Sequence, residues 1–147
     1  MGADKDEDLI ALRSTPLEIG SLIDSGGGGA VAVFLGITRG ETDAAGRNLV
    51  ALDYEAYPEM ALEQMKRLAA EARMRWPILR LALLHRIGIV GVGQPSVVVS
   101  VSTPHRAEAF EACRFLIDRV KAEAAIWKKE VWSDGSTSWV NGNIAAR

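Results

Sequence analysis

Lys121 and Lys128 stand seven residues apart near the end of the chain, and their type and spacing invite chemistry. A lysine partly desolvated beside other cations has a lowered pKa and can act as nucleophile or proton carrier. The competing reading of Lys128 is a solvated strand end. In Ile126-Trp127-Lys128-Lys129-Glu130, alternation puts Lys128 and Lys129 on opposite faces, so the two do not share one role. Upstream, His105-Arg106 falls at the start of a helical pattern. Unpaired N–H groups and the helix dipole favour an anion there, and an imidazole beside a fork-shaped guanidinium suits a phosphate. A plain surface histidine in a first turn is the other reading of His105. Projected at about 100° per residue, Arg106, Arg114 and Lys121 fall within or beside the apolar stripe Phe110, Cys113, Ile117 and Val120. Either their stems pack while their charged ends reach water, or an anionic ligand lies along this helix.

His85 shares parity with Leu79, Leu81 and Leu83 and reads as a satisfied core or rim histidine. Cys113 lies on the apolar stripe with no companion thiol and reads as an inert core residue. Asp53 and Glu55 share one strand face, too thin a constellation to carry a site. Trp127, Trp132 and Trp139 fit either a core or the lining of a pocket or subunit contact.

The elements that must position these side chains are three helical patterns set among short strands. Thr15-Pro16-Leu17-Glu18 has the form of a capping box and predicts a short helix to about Asp24. Gly26 to Gly29 ends it; the run lacks the Gly-Lys-Ser/Thr close of a phosphate loop and reads as a connector. Ala30 to Leu35 predicts a strand that places Val31, Val33, Leu35 and Ile37 on one face, with Arg39 following in the same parity. A polar loop from Gly40 to Gly46, expected to be mobile, leads to a strand from Asn48 to Tyr57. Pro58 opens a long helix to about Trp76, with Ala61, Met65, Leu68, Ala69, Ala72 and Trp76 on one face. Strands at Ile78–Ile87 and Ser96–Thr103 flank a turn region at Gly88–Pro95. Thr103-Pro104 caps a third helix to about Ala124, and a hairpin joins Ile126–Trp132 to Thr137–Val140. The class expected is α+β, mainly antiparallel, with three helices.

The 147 residues suit one domain. A formal net charge of −2 argues against broad nucleic-acid binding. One cysteine and two histidines leave no disulfide framework and no structural zinc site, and no metal or cofactor is expected. No apolar stretch is long enough to span a bilayer, and the acidic start is the wrong sign for a secretory signal, so a cytoplasmic location is expected.

In order and spacing, several of these segments resemble one family, the large catalytic subunit of molybdopterin synthase. They are Phe34-Leu35-Gly36-Ile37-Thr38-Arg39, Leu52-Asp53-Tyr54-Glu55-Ala56-Tyr57, Arg75-Trp76-Pro77, His85-Arg86-Ile87-Gly88, His105-Arg106-Ala107 and Lys121 leading to Ile126-Trp127-Lys128-Lys129-Glu130. The resemblance implies a hammerhead-type α+β domain over residues 9–140, between an acidic tail at 1–8 and a C-terminal tail at 141–147. It implies a sulfurtransferase that converts cyclic pyranopterin monophosphate to molybdopterin. The two dithiolene sulfurs would come from the Gly-Gly thiocarboxylate of a small ubiquitin-like carrier subunit, with a homodimer of large subunits at the centre of a heterotetramer. By matching position, Lys121 and Lys128 are the expected catalytic residues beside the carrier tail, and Arg39, His105 and Arg106 the expected pterin or phosphate contacts. A non-catalytic dimeric module binding a phosphorylated ligand or a carrier tail is the alternative. Three departures stand out: Ala125 where the family usually has proline, Pro104 where a small residue often precedes His-Arg, and Val140-Asn141-Gly142-Asn143 where basic residues tend to follow.

Overall fold

A computed structural model describes residues 8–140. The expectations for the acidic residues before Asp8 and for the 141–147 tail lie outside the described residues.

The described chain forms β1 (Leu9–Arg13), β2 (Ala30–Ile37), β3 (Leu49–Ala56), α1 (Pro58–Arg75), β4 (Arg80–Arg86), β5 (Gly88–Gly91), β6 (Pro95–Thr103), α2 (Arg106–Glu123), β7 (Ile126–Trp132) and β8 (Thr137–Trp139). Two four-stranded sheets result, ordered β1-β4-β6-β2 and β5-β3-β7-β8. Only β1 against β4 is parallel; every other pairing is antiparallel.

Both helices pack on one face of the first sheet. The main core lies there, built from Met65, Leu68 and Ala72 of α1, Leu116, Ile117 and Val120 of α2, and Leu81, Leu83, Val99 and Val101 of the strands. The buried face of α1 is the one its spacing predicts. On α2 the buried face is rotated from the expected stripe: Ala109, Ala112, Cys113, Leu116, Ile117 and Val120 are covered, whereas Phe110 is 67% exposed. Small alanines let α2 lie close to the sheet. This leaves Arg106 and Arg114 in solvent, which removes the puzzle of cations at a core edge.

The first expected helix does not form. Residues 14–25 hold only a 3-10 turn at Gly20–Leu22, and no α-helix opens at the Thr15 capping box. Leu17 is instead buried against Ala11, Ala82, Leu84 and Val98, with Ile19 and Leu22 beside it, so the segment covers the second face of the first sheet. Burial of these side chains outweighs a capping preference worth about 1 kcal/mol. The connector is more than a spacer. A Cβ at Gly28 would lie 2.4 Å from the Thr103 carbonyl oxygen, so the strand that follows can reach this close only past a glycine.

The third expected helix starts two residues later than the Thr103-Pro104 cap implies, with His105 at the N-cap position, while the Thr103 hydroxyl donates to the His105 carbonyl at 2.6 Å. The loop at 40–48 is tied by its own contacts. The Asp43 carboxylate accepts from the Arg47 backbone N–H at 2.8 Å and pairs with its guanidinium at 2.7 Å. Asp8, expected in the tail, pairs with Arg73 at 2.7 Å. No helix among the described residues is long and apolar enough to cross a membrane.

Candidate functional site

The second sheet has its own small core, made by Leu49, Leu52, Tyr54, Val90, Ile126 and Trp132 with Ala61 of α1. Where this sheet meets the end of the first, a cavity of about 320 Å³ opens. Gly36, Ile37 and Arg39 line it from the end of β2, Ser96 from β6, Leu52 and Tyr54 from β3, Lys121 from the last turn of α2, and Lys128 and Glu130 from β7. Glu41 joins them from the loop after β2. Three cations and two carboxylates therefore face one space.

Each lysine arrives there for a local reason. On α2, Ile117 and Val120 are buried, and the next residue, Lys121, emerges at the helix end beside the cavity mouth. On β7, Lys128 pairs with Tyr54 in register and turns inward. Lys129 turns outward, where it meets Asp53 at 3.8 Å and lies 5.4 Å from the Trp139 ring centre. The opposite-face reading of the two neighbours holds, and Asp53 is spent on that ion pair.

The turn between α2 and β7 sets the approach of Lys128. Ala125, in the place where proline is usual, donates its backbone N–H to Gln64 Oε1 at 2.7 Å, while its carbonyl accepts from Tyr57 at 3.1 Å. A proline has no N–H to offer. The chain thus holds this turn by a bond from α1.

Arg39 follows buried Thr38, whose backbone N–H donates to the Gln94 carbonyl at 3.0 Å and whose carbonyl accepts from Gly93 at 2.8 Å. That clasp fixes the end of β2 and leaves the Arg39 side chain exposed at the cavity.

His105 and Arg106 are elsewhere. They sit exposed at the opposite end of α2, and at 1.5 Å per residue Arg106 lies about 22 Å along the helix from Lys121. The first turn there also carries Glu108, whose Oε1 is buried without a hydrogen-bond partner among the described residues. One chain does not gather all five expected residues into one pocket.

Sequence reasoning underrated His85. It is buried, as expected, but it lines a recess of about 30 Å³ shared with Tyr54, Ser96, Lys121 and Lys128, directly behind the larger cavity. Its Nδ1 lies 2.7 Å from the Arg86 carbonyl oxygen, and its ring meets Tyr54 edge-on at 4.9 Å. Burial pulls the imidazole down to about 4, the Lys121 and Lys128 ammoniums push the same way, and the hydrogen bond to Arg86 opposes them. The ring is therefore neutral at pH 7. A carbonyl only accepts, so Nδ1 carries the proton and Nε2 the lone pair. Burial raises the Tyr54 hydroxyl, against a hydrogen bond with Ser96. Period-two parity marked His85 as inward-facing, but only the packing of two sheets against α2 puts it behind the lysines.

Cys113 is buried and its thiol is pushed up to about 11 by burial, so it is not a nucleophile. Of the tryptophans, Trp132 is core, while Trp127 and Trp139 are 44% and 51% exposed. Among the described residues no cluster of three or more potential metal ligands occurs.

The model of the MoaE protein family matches residues 12–123. A molybdopterin synthase catalytic subunit from Nostoc sp. is 48% identical over 141 residues, covering 93% of this chain and 84% of the relative. The Homo sapiens protein of the same name is 36% identical over 137 residues, covering 91% and 72%. Among solved structures, molybdopterin synthase from Staphylococcus aureus superposes with a TM-score of 0.79 at 31% identity, covering 92% of this chain and 97% of that one. A complex of subunits 1 and 2 of the molybdopterin-converting factor from Helicobacter pylori shares the fold, with a TM-score of 0.75 at 21% identity over 90% of each chain.

Proposed function

The chain belongs to the MoaE family, that of molybdopterin synthase catalytic subunits, and from that premise we propose how its cavity performs the synthase reaction. The chain is a sulfurtransferase. It takes cyclic pyranopterin monophosphate and installs two dithiolene sulfurs, each delivered as the C-terminal thiocarboxylate of a small carrier subunit. The observation that carries this reading is the convergence of Arg39, Lys121 and Lys128, from three separate elements, on one cavity at the seam of the two sheets.

The chemistry suits that geometry. A Gly-Gly tail has no side chains, so it can thread a narrow opening and present its terminal thiocarboxylate to the ammoniums. Lys121 and Lys128 orient that anion and hand on protons as sulfur attacks the pterin to form an acyl thioester and water then cleaves its acyl–sulfur bond, leaving sulfur on the pterin and releasing the carrier as a carboxylate. Charge held in place before the reaction stabilises the developing anions without reorganisation. Arg39 supplies a guanidinium fork to the phosphate. The small-subunit partner is the kind seen in the Helicobacter pylori complex.

His105 and Arg106 act on the phosphate from a second copy of the chain. A separation of about 22 Å along α2 exceeds the reach of one pterin monophosphate, so these residues and Lys121 of the same chain serve different sites. A twofold homodimer solves this by placing the α2 start of one copy at the cavity of the other.

The test mixes the purified protein with a thiocarboxylated carrier and cyclic pyranopterin monophosphate and follows the dithiolene product. Product formation in a single turnover is expected. Binding of both partners without any product would defeat the catalytic reading and leave a non-catalytic binding module.

A further inference from the structure

We propose that His85 is a positioning residue for Lys121: its unprotonated Nε2 accepts a hydrogen bond from the Lys121 ammonium, directly or through one water, and fixes that ammonium toward the cavity. This rests on the catalytic reading of Lys121 given above.

The recess of about 30 Å³ is large enough for about two waters and no more. Its polar groups come from five elements, His85 itself from β4. His85 faces Tyr54 from β3, Ser96 from β6, Lys121 from α2 and Lys128 from β7. Tyr54 and Ser96 are hydrogen-bonded to each other, and Ser96 also donates to the Gly36 carbonyl at 3.3 Å. His85 Nδ1 is committed to the Arg86 carbonyl. This leaves Nε2 as an acceptor with no hydrogen bond among the described residues. The groups beside it that donate without accepting are the lysine ammoniums. Lys121 makes no ion pair among the described residues; Glu41 and Glu130 share the larger cavity with it but do not line the recess.

The imidazole acts by direction, not as a base. With a pKa of about 4 it is some six orders of magnitude too weak to take a proton from an ordinary lysine. A fixed lone pair can still set the rotamer of a side chain with four free torsions. Lysine otherwise gives up that freedom at a cost in every turnover. Because the imidazole stays neutral, the two ammoniums gain an acceptor without a third positive charge in the recess.

Three substitutions separate the acceptor from the donor and from bulk. His85→Gln can place an amide oxygen near the Nε2 position, His85→Asn reproduces only the Nδ1 donor, and His85→Leu reproduces neither. In single turnovers with the thiocarboxylated carrier, His85→Gln should stay within a fewfold of wild type. His85→Asn and His85→Leu should slow by about 10- to 100-fold, the loss expected for one hydrogen bond to a charged group, with unchanged carrier affinity. A second readout does not depend on activity. In protein labelled with nitrogen-15 histidine, the unprotonated Nε2 resonance should move when Lys121 is replaced by methionine, and move less when Lys128 is. A folded His85→Leu protein that turns over like wild type overturns the proposal. So does an Nε2 resonance indifferent to Lys121→Met. If wild type itself makes no product, the catalytic reading fails on its own account, and the resonance still decides whether the contact exists.

Discussion

Acid should destabilise this protein through His85, and the size of the effect follows from its burial. The imidazole is 8% exposed and held at about 4, against 6.5 for a free histidine. Between pH 6.5 and about 4 the unfolded chain takes up a proton at this position and the folded chain does not. The unfolded state therefore binds more protons in that window, and folding stability falls as pH falls. At 1.36 kcal/mol per pH unit, the full window is worth about 3 kcal/mol. That is a sizeable share of the ~5–15 kcal/mol that holds a domain of this kind together. Urea unfolding of wild type and His85→Gln at intervals from pH 7.5 to 4 measures it. Asp43 and Asp134 also lose favourable contacts in acid, the first held low mainly by the Arg47 backbone N–H and the second by the Ser136 hydroxyl. Both are present in either protein and cancel in the difference. The wild-type profile should fall away from that of the variant below pH 6.5, by about 3 kcal/mol at pH 4. Parallel profiles would refute the buried neutral imidazole.

Three further outcomes are expected. Lys121→Ala should abolish nearly all turnover and leave carrier binding measurable, which a single-turnover assay paired with titration calorimetry would check. Mixing inactive Lys121→Ala protein with inactive Arg106→Ala protein, under conditions that exchange subunits, should restore about a quarter of wild-type activity. Half of the randomly formed dimers are mixed and each of those has one intact site; no recovery in dimers shown to have exchanged would count against a site shared between copies. Cys113 should resist thiol reagents in the folded protein at pH 7.5 and react at once in denaturant, and Cys113→Ser should keep its activity.

The sequence shows the long helices and the central strands clearly because their periodicities are long and unbroken, as in α1 with its five buried positions. It is least legible where pairing or burial overrides local pattern. Leu-Ile-Ala-Leu-Arg at the start of the described chain has no alternation of its own and becomes β1 only by lying parallel to β4. Gly88 to Gly91 reads as a turn and becomes a strand because β3 offers it an edge. The Thr15 segment has good helix-start chemistry, yet Leu17, Ile19 and Leu22 are needed on the sheet. In the site, Arg39, Lys121 and Lys128 are identifiable by type and position, and the three line one cavity. The distance from Lys121 to Arg106 could have been worked out from the helix alone, since fifteen residues of α-helix are long compared with a small substrate. The place of His85 could not, because it depends on how α2 and the second sheet close over β4.

The turn at Ala125 also gives the site an order of assembly. A proline there would stiffen the approach to Lys128 in every state of the chain, folded or not. The bond to Gln64 exists only once α1 has docked, and Gln64 precedes Met65, which lies at the centre of the main core. The turn ahead of Lys128 is therefore complete only with α1 in place, while the pairing of β7 with β3 sets the strand that carries it. On warming, loss of that one hydrogen bond loosens the turn ahead of Lys128 while β7 is still paired with β3 and β8, so catalysis fades at a lower temperature than the fold.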